Sequence, residues 1–95
     1  MPATIVPHVL LRYRLTPDYV ERRAAWRDEH LALLNDYRRR GAIAMAGALT
    51  GPVDEAIIVF AGAELGPAEA FARADPYVRS GLVLEWEVRH WSVVE

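Results

Sequence analysis

A chain of 95 residues, 53% hydrophobic and 25% charged, has room for one hydrophobic core, which implies a single domain over residues 1–95 and excludes a disordered chain. Its 11 basic and 13 acidic residues give a formal charge of −2, so the summed positive field that phosphate backbones reward is missing and nucleic acid is not an expected partner. The absence of cysteine excludes disulfides, thiolate metal sites and cysteine nucleophiles, and no stretch approaches the ~20 apolar residues of a membrane span.

Met1 to Val6 carry no basic or long apolar leader, so the expected setting is soluble and cytoplasmic. From Val6 to Leu15 the residues alternate. Val9, Leu11, Tyr13 and Leu15 face one way, and His8, Leu10, Arg12 and Arg14 the other, which is the period of a strand. Thr16-Pro17-Asp18 then offers a capping hydroxyl, a proline suited to a first helical position and an acid placed well against the helix dipole. The predicted helix runs to Arg40 and stops at Gly41. Val20, Ala24, Leu31 and Leu34 form one apolar stripe on it, and Tyr19, Trp26, Leu33 and Tyr37 a second. Arg23 and His30 fall within that second stripe, at the edge of the buried face.

Ala42 to Leu49 and Ala56 to Ala61 read as a hairpin around Thr50-Gly51-Pro52-Val53-Asp54. Gly66-Pro67 opens a short helix through Ala74 that Asp75-Pro76 interrupts. Beyond Gly81 the last strand alternates from Leu82 to Trp91, with Leu84, Trp86 and Val88 opposite Val83, Glu85, Glu87 and Arg89. The order β-α-β-β-α-β predicts an α+β fold, a four-stranded antiparallel sheet with both helices on one face. The helices should cover Leu11, Tyr13, Leu84 and Trp86.

His30 is the residue best suited to moving a proton near neutral pH. Arg27, one turn before it, can hold an anion beside the imidazole. The competing reading is a half-buried structural histidine against Trp26 and Leu34. Asp75 has the features of a helix cap at Pro76, yet a carboxylate has enough acceptor sites to hold a backbone amide and a histidine N–H together. Tyr77 can donate a proton or pack beside Asp75, and Ser80 can bond a ligand or form a turn. Tyr13 and Trp86 read as core or pocket wall. Histidines at 8, 30 and 90 have no metal-ligand spacing, and Gly47 and Gly51 form no phosphate cradle, so neither a metal nor a cofactor is expected.

Four segments occur in order along the chain: Arg27-Asp28-Glu29-His30-Leu31, Ala46-Gly47-Ala48-Leu49, Glu69-Ala70-Phe71-Ala72-Arg73-Ala74-Asp75-Pro76-Tyr77 and Glu87-Val88-Arg89-His90-Trp91. Together they resemble the YCII-related (YciI-like) domain family. The resemblance implies a ferredoxin-like fold of the dimeric α+β barrel type with a histidine and an aspartate at the active site, here His30 and Asp75. A few members of that family are dehydrochlorinases of chlorinated aromatic breakdown products, and muconolactone isomerases share the wider fold. His90 stands where relatives often carry proline.

Two functional readings follow. The first is an enzyme acting without a cofactor on a small anionic or aromatic-derived molecule, dehydrochlorinase-, lyase- or isomerase-like. In it a His30 ring nitrogen is hydrogen-bonded to Asp75, and Arg27, Tyr77 and Ser80 contact substrate. The second is a non-catalytic ligand-binding or accessory domain of the same fold. A domain this small leaves apolar surface uncovered, and a homodimer is expected through the open sheet face. Leu10 and Val83 should be buried there, with Arg12, Arg14, Glu85 and Glu87 ordered around the contact.

Overall fold

Four strands in the order β2-β3-β1-β4 form one antiparallel sheet in the computed structural model, which describes residues 3–95. They are β1 (Ile5–Leu15), β2 (Ile43–Ala48), β3 (Glu55–Ala61) and β4 (Val83–Val94). The helices are α1 (Tyr19–Arg22), α2 (Arg27–Arg39), α3 (Gly66–Ala74) and α4 (Pro76–Arg79), with a 3₁₀ turn at Arg23–Ala25.

The alternation in β1 sets the layers. Val9, Leu11, Tyr13 and Leu15 are all buried in the main core cluster with Phe60, Phe71, Ala68, Ala72, Tyr77 and Leu82. Arg12 and Arg14 project from the opposite face, where they pair within the chain with Glu55 and Glu85 respectively. This is the ferredoxin-like arrangement, with the sheet covered on one side.

Two features depart from the sequence-based expectation. The first helix is not continuous, because Trp26 has φ −120° and ψ −2° and its N–H bonds the Arg23 carbonyl three residues back. That tighter turn changes the phase of the chain. It lets Tyr19 pack edge-on against Tyr77 with ring centroids 5.5 Å apart, while Val20 and Trp26 stay exposed. Nor does Pro17 occupy the first helical position, since Asp18 is the N-cap and no side chain, Thr16 included, caps α1.

The second departure is in β4. Arg14 pairs with Glu85 but Leu15 pairs with Val83, so Leu84 is an extra residue at a bulge. One added residue reverses which face each later or earlier side chain takes. Val83 therefore lies in the core at 7% exposure and Leu84 stands out at 51%, the reverse of the expected pair. Val83 is then unavailable to a contact through the open sheet face.

Candidate functional site

Asp75 sits where α3 ends and α4 begins, and its extended backbone (φ −67°, ψ 121°) with Pro76 behind it makes it the N-cap of α4. Its Oδ1 accepts the Tyr77 backbone N–H at 3.0 Å and also meets His30 Nδ1 at 2.8 Å. Its Oδ2 accepts the Tyr13 hydroxyl at 2.8 Å. The residue is 0% exposed. Three donors from β1, α2 and α4 thus converge on one buried carboxylate, which satisfies the requirement that such a group be hydrogen-bonded.

Burial pushes the Tyr13 phenol far above its ordinary range, with the Asp75 charge and hydrogen bond adding to the effect. Tyr13 therefore remains a donor to Asp75. Since both oxygens already receive donors, His30 meets Oδ1 through its own N–H on Nδ1, and the neutral ring keeps its lone pair on Nε2. Among the described residues, no protein group bonds Nε2.

The imidazole lies flat on the Tyr77 ring, with centroids 3.9 Å apart and planes 9° from parallel, and forms a T-shaped pair with Phe71, centroids 6.4 Å apart. Its side chain is 14% exposed. It borders a cleft of about 230 Å³ shared with Arg23, Arg27, Tyr19 and Tyr77 on one side and Ala46 and Ala48 of β2 on the other. The short side chains of β2 leave the gap between helix and sheet edge unfilled. Its volume is below the usual range of about 300–1,000 Å³ for drug-sized ligands and suits a single-ring molecule.

The residues singled out in the sequence are only partly brought together. His30, Asp75, Arg27 and Tyr77 meet at the cleft or just behind it. Ser80 does not: it ends α4, donates to the Tyr77 carbonyl at 3.4 Å and lies in a separate depression with Trp26, Glu29 and Arg79. His90 Nε2 bonds the Ala63 carbonyl at 3.0 Å, away from the cleft. Tyr13, read as core or wall, is both buried and a ligand of Asp75. A phenol on the helix-facing side of a central strand needs a partner, a signal the sequence carried without naming the partner. Among the described residues no group of three or more His, Asp or Glu side chains could hold a metal ion. Among the described residues no helix is long and apolar enough to cross a membrane.

These observations define a class: α+β domains of ferredoxin-like arrangement in which the helix layer and a sheet edge enclose a small polar cleft. Within that class the chain belongs to the YCII-related domain family, which matches residues 6–92. No curated protein matches the sequence. Among solved structures it is similar to 5-chloro-2-hydroxyhydroquinone dehydrochlorinase (TftG) from Burkholderia phenoliruptrix in complex with 2,5-dihydroxybenzoquinone. Identity is 18% over 88% of this chain and 92% of that one, with a TM-score of 0.74. A NIPSNAP family protein with unknown function from Agrobacterium tumefaciens is similar at 19% identity over 95% and 89% of the two chains, with a TM-score of 0.59. A protein from Shewanella oneidensis is similar at 13% identity over 98% of both, with a TM-score of 0.56. At these identities the likeness establishes the fold, which is that of the dimeric α+β barrels, and carries no reaction with it.

Proposed function

We propose that the protein is an enzyme acting on a small anionic or aromatic-derived molecule, with His30 as the general acid-base group. The observation that carries this reading is the division of labour across the His30 ring. Nδ1 is held by a buried carboxylate with donors on both oxygens, and among the described residues Nε2 has no protein partner where the ring borders a cleft. In the reaction Nε2 takes a proton from substrate, the electron pair released forms a new double bond, and a leaving group departs with its bonding pair. If no group leaves, the same proton returns to another carbon and the outcome is isomerisation. Asp75 fixes the tautomer and stabilises the imidazolium as it forms. Arg27 contacts the anionic oxygen of the substrate. TftG, a 5-chloro-2-hydroxyhydroquinone dehydrochlorinase, removes hydrogen chloride from a hydroxylated ring, an elimination of this type.

A second reading keeps the pocket and drops the catalysis. The stack on Tyr77 and the bond to Asp75 would serve equally to fasten α2 to α4 around a bound metabolite. Turnover separates the two. A thermal-shift screen with small aromatic and lactone acids and chlorinated hydroquinones identifies a ligand, and His30→Ala is then assayed on it. General acid-base loss predicts a fall of at least ~100-fold with the fold retained. Near-wild-type turnover in that variant eliminates His30 as the acid-base group.

The working unit of this reading is a homodimer formed through the open sheet face. That face carries Met45 at 64% exposure, opposite the already buried Val59, and a second copy would cover this methionine.

A further inference from the structure

The cleft contains more positive charge and more hydrogen-bond donors than the chain itself uses. Arg23 begins the 3₁₀ turn and Arg27 begins α2, and both line the cleft with Tyr77. Neither guanidinium has a carboxylate within 4.0 Å among the described residues. The cleft lining includes no acidic side chain, and Asp75 behind it is already occupied by its three donors.

Tyr77 supplies an independent observation. The residue is 2% exposed, and among the described residues its buried hydroxyl finds no acceptor, with Arg27 its nearest side-chain donor. Such an orphan is destabilising unless something completes it. Burial, and then the neighbouring Tyr19 phenol, push this hydroxyl upward in pKa, while Arg27 and Arg23 oppose the shift from close by. It therefore stays protonated and is a donor lacking an acceptor. Tyr19 holds the group together, with the Arg23 guanidinium 5.5 Å from its ring centroid and the Tyr77 ring packed edge to face against it, centroids 5.5 Å apart.

We infer that Arg23, Arg27 and the Tyr77 hydroxyl form a carboxylate-binding subsite, so that the molecule presented to His30 is a small single-ring carboxylate. Two planar guanidinium forks and a hydroxyl offer more donors than one phenolate oxygen can accept, whereas a carboxylate has two oxygens and about four lone-pair sites, the match for bidentate arginine. The inference rests on the proposed function only for what happens after binding. The subsite itself stands or falls by affinity.

The test is a titration followed by NMR chemical shifts, with benzoate and 4-hydroxybenzoate as probes against the corresponding neutral amides. The acids should bind at least about 10-fold more tightly than the amides, the size of one charge-assisted contact. Arg23→Gln should remove about that factor for the acids and leave the amides unchanged, and Arg23→Lys, which keeps the charge and loses the fork, should fall between. Tyr77→Phe should weaken the acids several-fold. His30→Ala should keep the preference for acids, which separates failure of the catalytic reading from failure of this one. Equal affinity for acid and amide, no binding of either, or an Arg23→Gln variant that binds the acids as wild type does would each overturn the subsite.

Discussion

Replacing Tyr13 by phenylalanine removes one oxygen and leaves the ring in the core, which isolates the hydroxyl's bond to Asp75. The hydroxyl donates to Oδ2 at 2.8 Å with both groups buried, and no other described residue donates to that oxygen. A hydrogen bond to a charged group contributes about 1.5–3 kcal/mol, and here the carboxylate left behind cannot reach water, so the upper half of that range is expected. In a domain of this size each kcal/mol moves Tm by about 4–8 °C, a fall of roughly 6–24 °C over the full range. Urea denaturation should show a lower midpoint with an unchanged slope. The effect has a pH signature as well. Burial holds the Tyr13 phenol far above its ordinary range, so the folded state keeps a proton that the unfolded chain releases above pH ~10. The stabilisation is complete below that pH and is lost as pH rises beyond it. Wild type then sheds about 1.4 kcal/mol per pH unit that the Phe variant does not, and the gap between them narrows. A variant within about 0.5 kcal/mol of wild type at neutral pH, or a gap that widens in alkali, refutes the reasoning.

Asp75→Asn places an amide N–H₂ where a donor already points, whichever way the side chain turns. It should lower Tm and turnover together, and a variant that loses turnover at wild-type Tm would show that the three donors to Asp75 contribute nothing to the fold. The homodimer is checked by light scattering at micromolar concentration. A dimer mass is expected, with Met45→Asp shifting it toward monomer because a charge would enter the contact, whereas a clean wild-type monomer contradicts the assembly. The exposed Arg14–Glu85 pair should matter little either way, Arg14→Ala changing stability by no more than about 1 kcal/mol.

The strands were legible because their alternation is a direct consequence of a half-covered sheet, and the helix stops because Gly41 and Gly81 take positive φ values that other residues resist. Asp75 was legible as a cap for a local reason, since Asp-Pro encodes a chain entering a helical turn. What escaped was set by distant packing. No glycine or proline lies between Tyr19 and Arg40 to mark the break before α2; the chain tightens there so that Tyr19 reaches Tyr77. The bulge at Leu84 has no composition signal, and counting residues in pairs along β4 assigns Val83 and Leu84 to the wrong faces. The Tyr13 partner lies 62 residues away and the Asp75–His30 contact spans 45. The second of these was accessible through family likeness, while the first needed the fold.

Two of the three donors to Asp75, from β1 and α2, reach it only when the helix layer is docked on the sheet, so the site cannot be assembled before the core is. A buried carboxylate lacking any of them would be strongly destabilising, which ties the orientation of His30 to the same packing that holds Tyr13 and Tyr77 in the core. Orientation fixed during folding need not be established again when a ligand arrives, and this is what preorganisation of an acid-base group requires. Arg23 and Arg27 stand outside that arrangement, paired with no carboxylate among the described residues and not among the donors that fasten Asp75. The cleft therefore has one wall whose chemistry is bound to stability and another whose chemistry is not. In the function proposed above, exchanges at Arg23 or Arg27 change which molecule is held while leaving the fold intact, whereas exchanges at Tyr13 or Asp75 alter both at once.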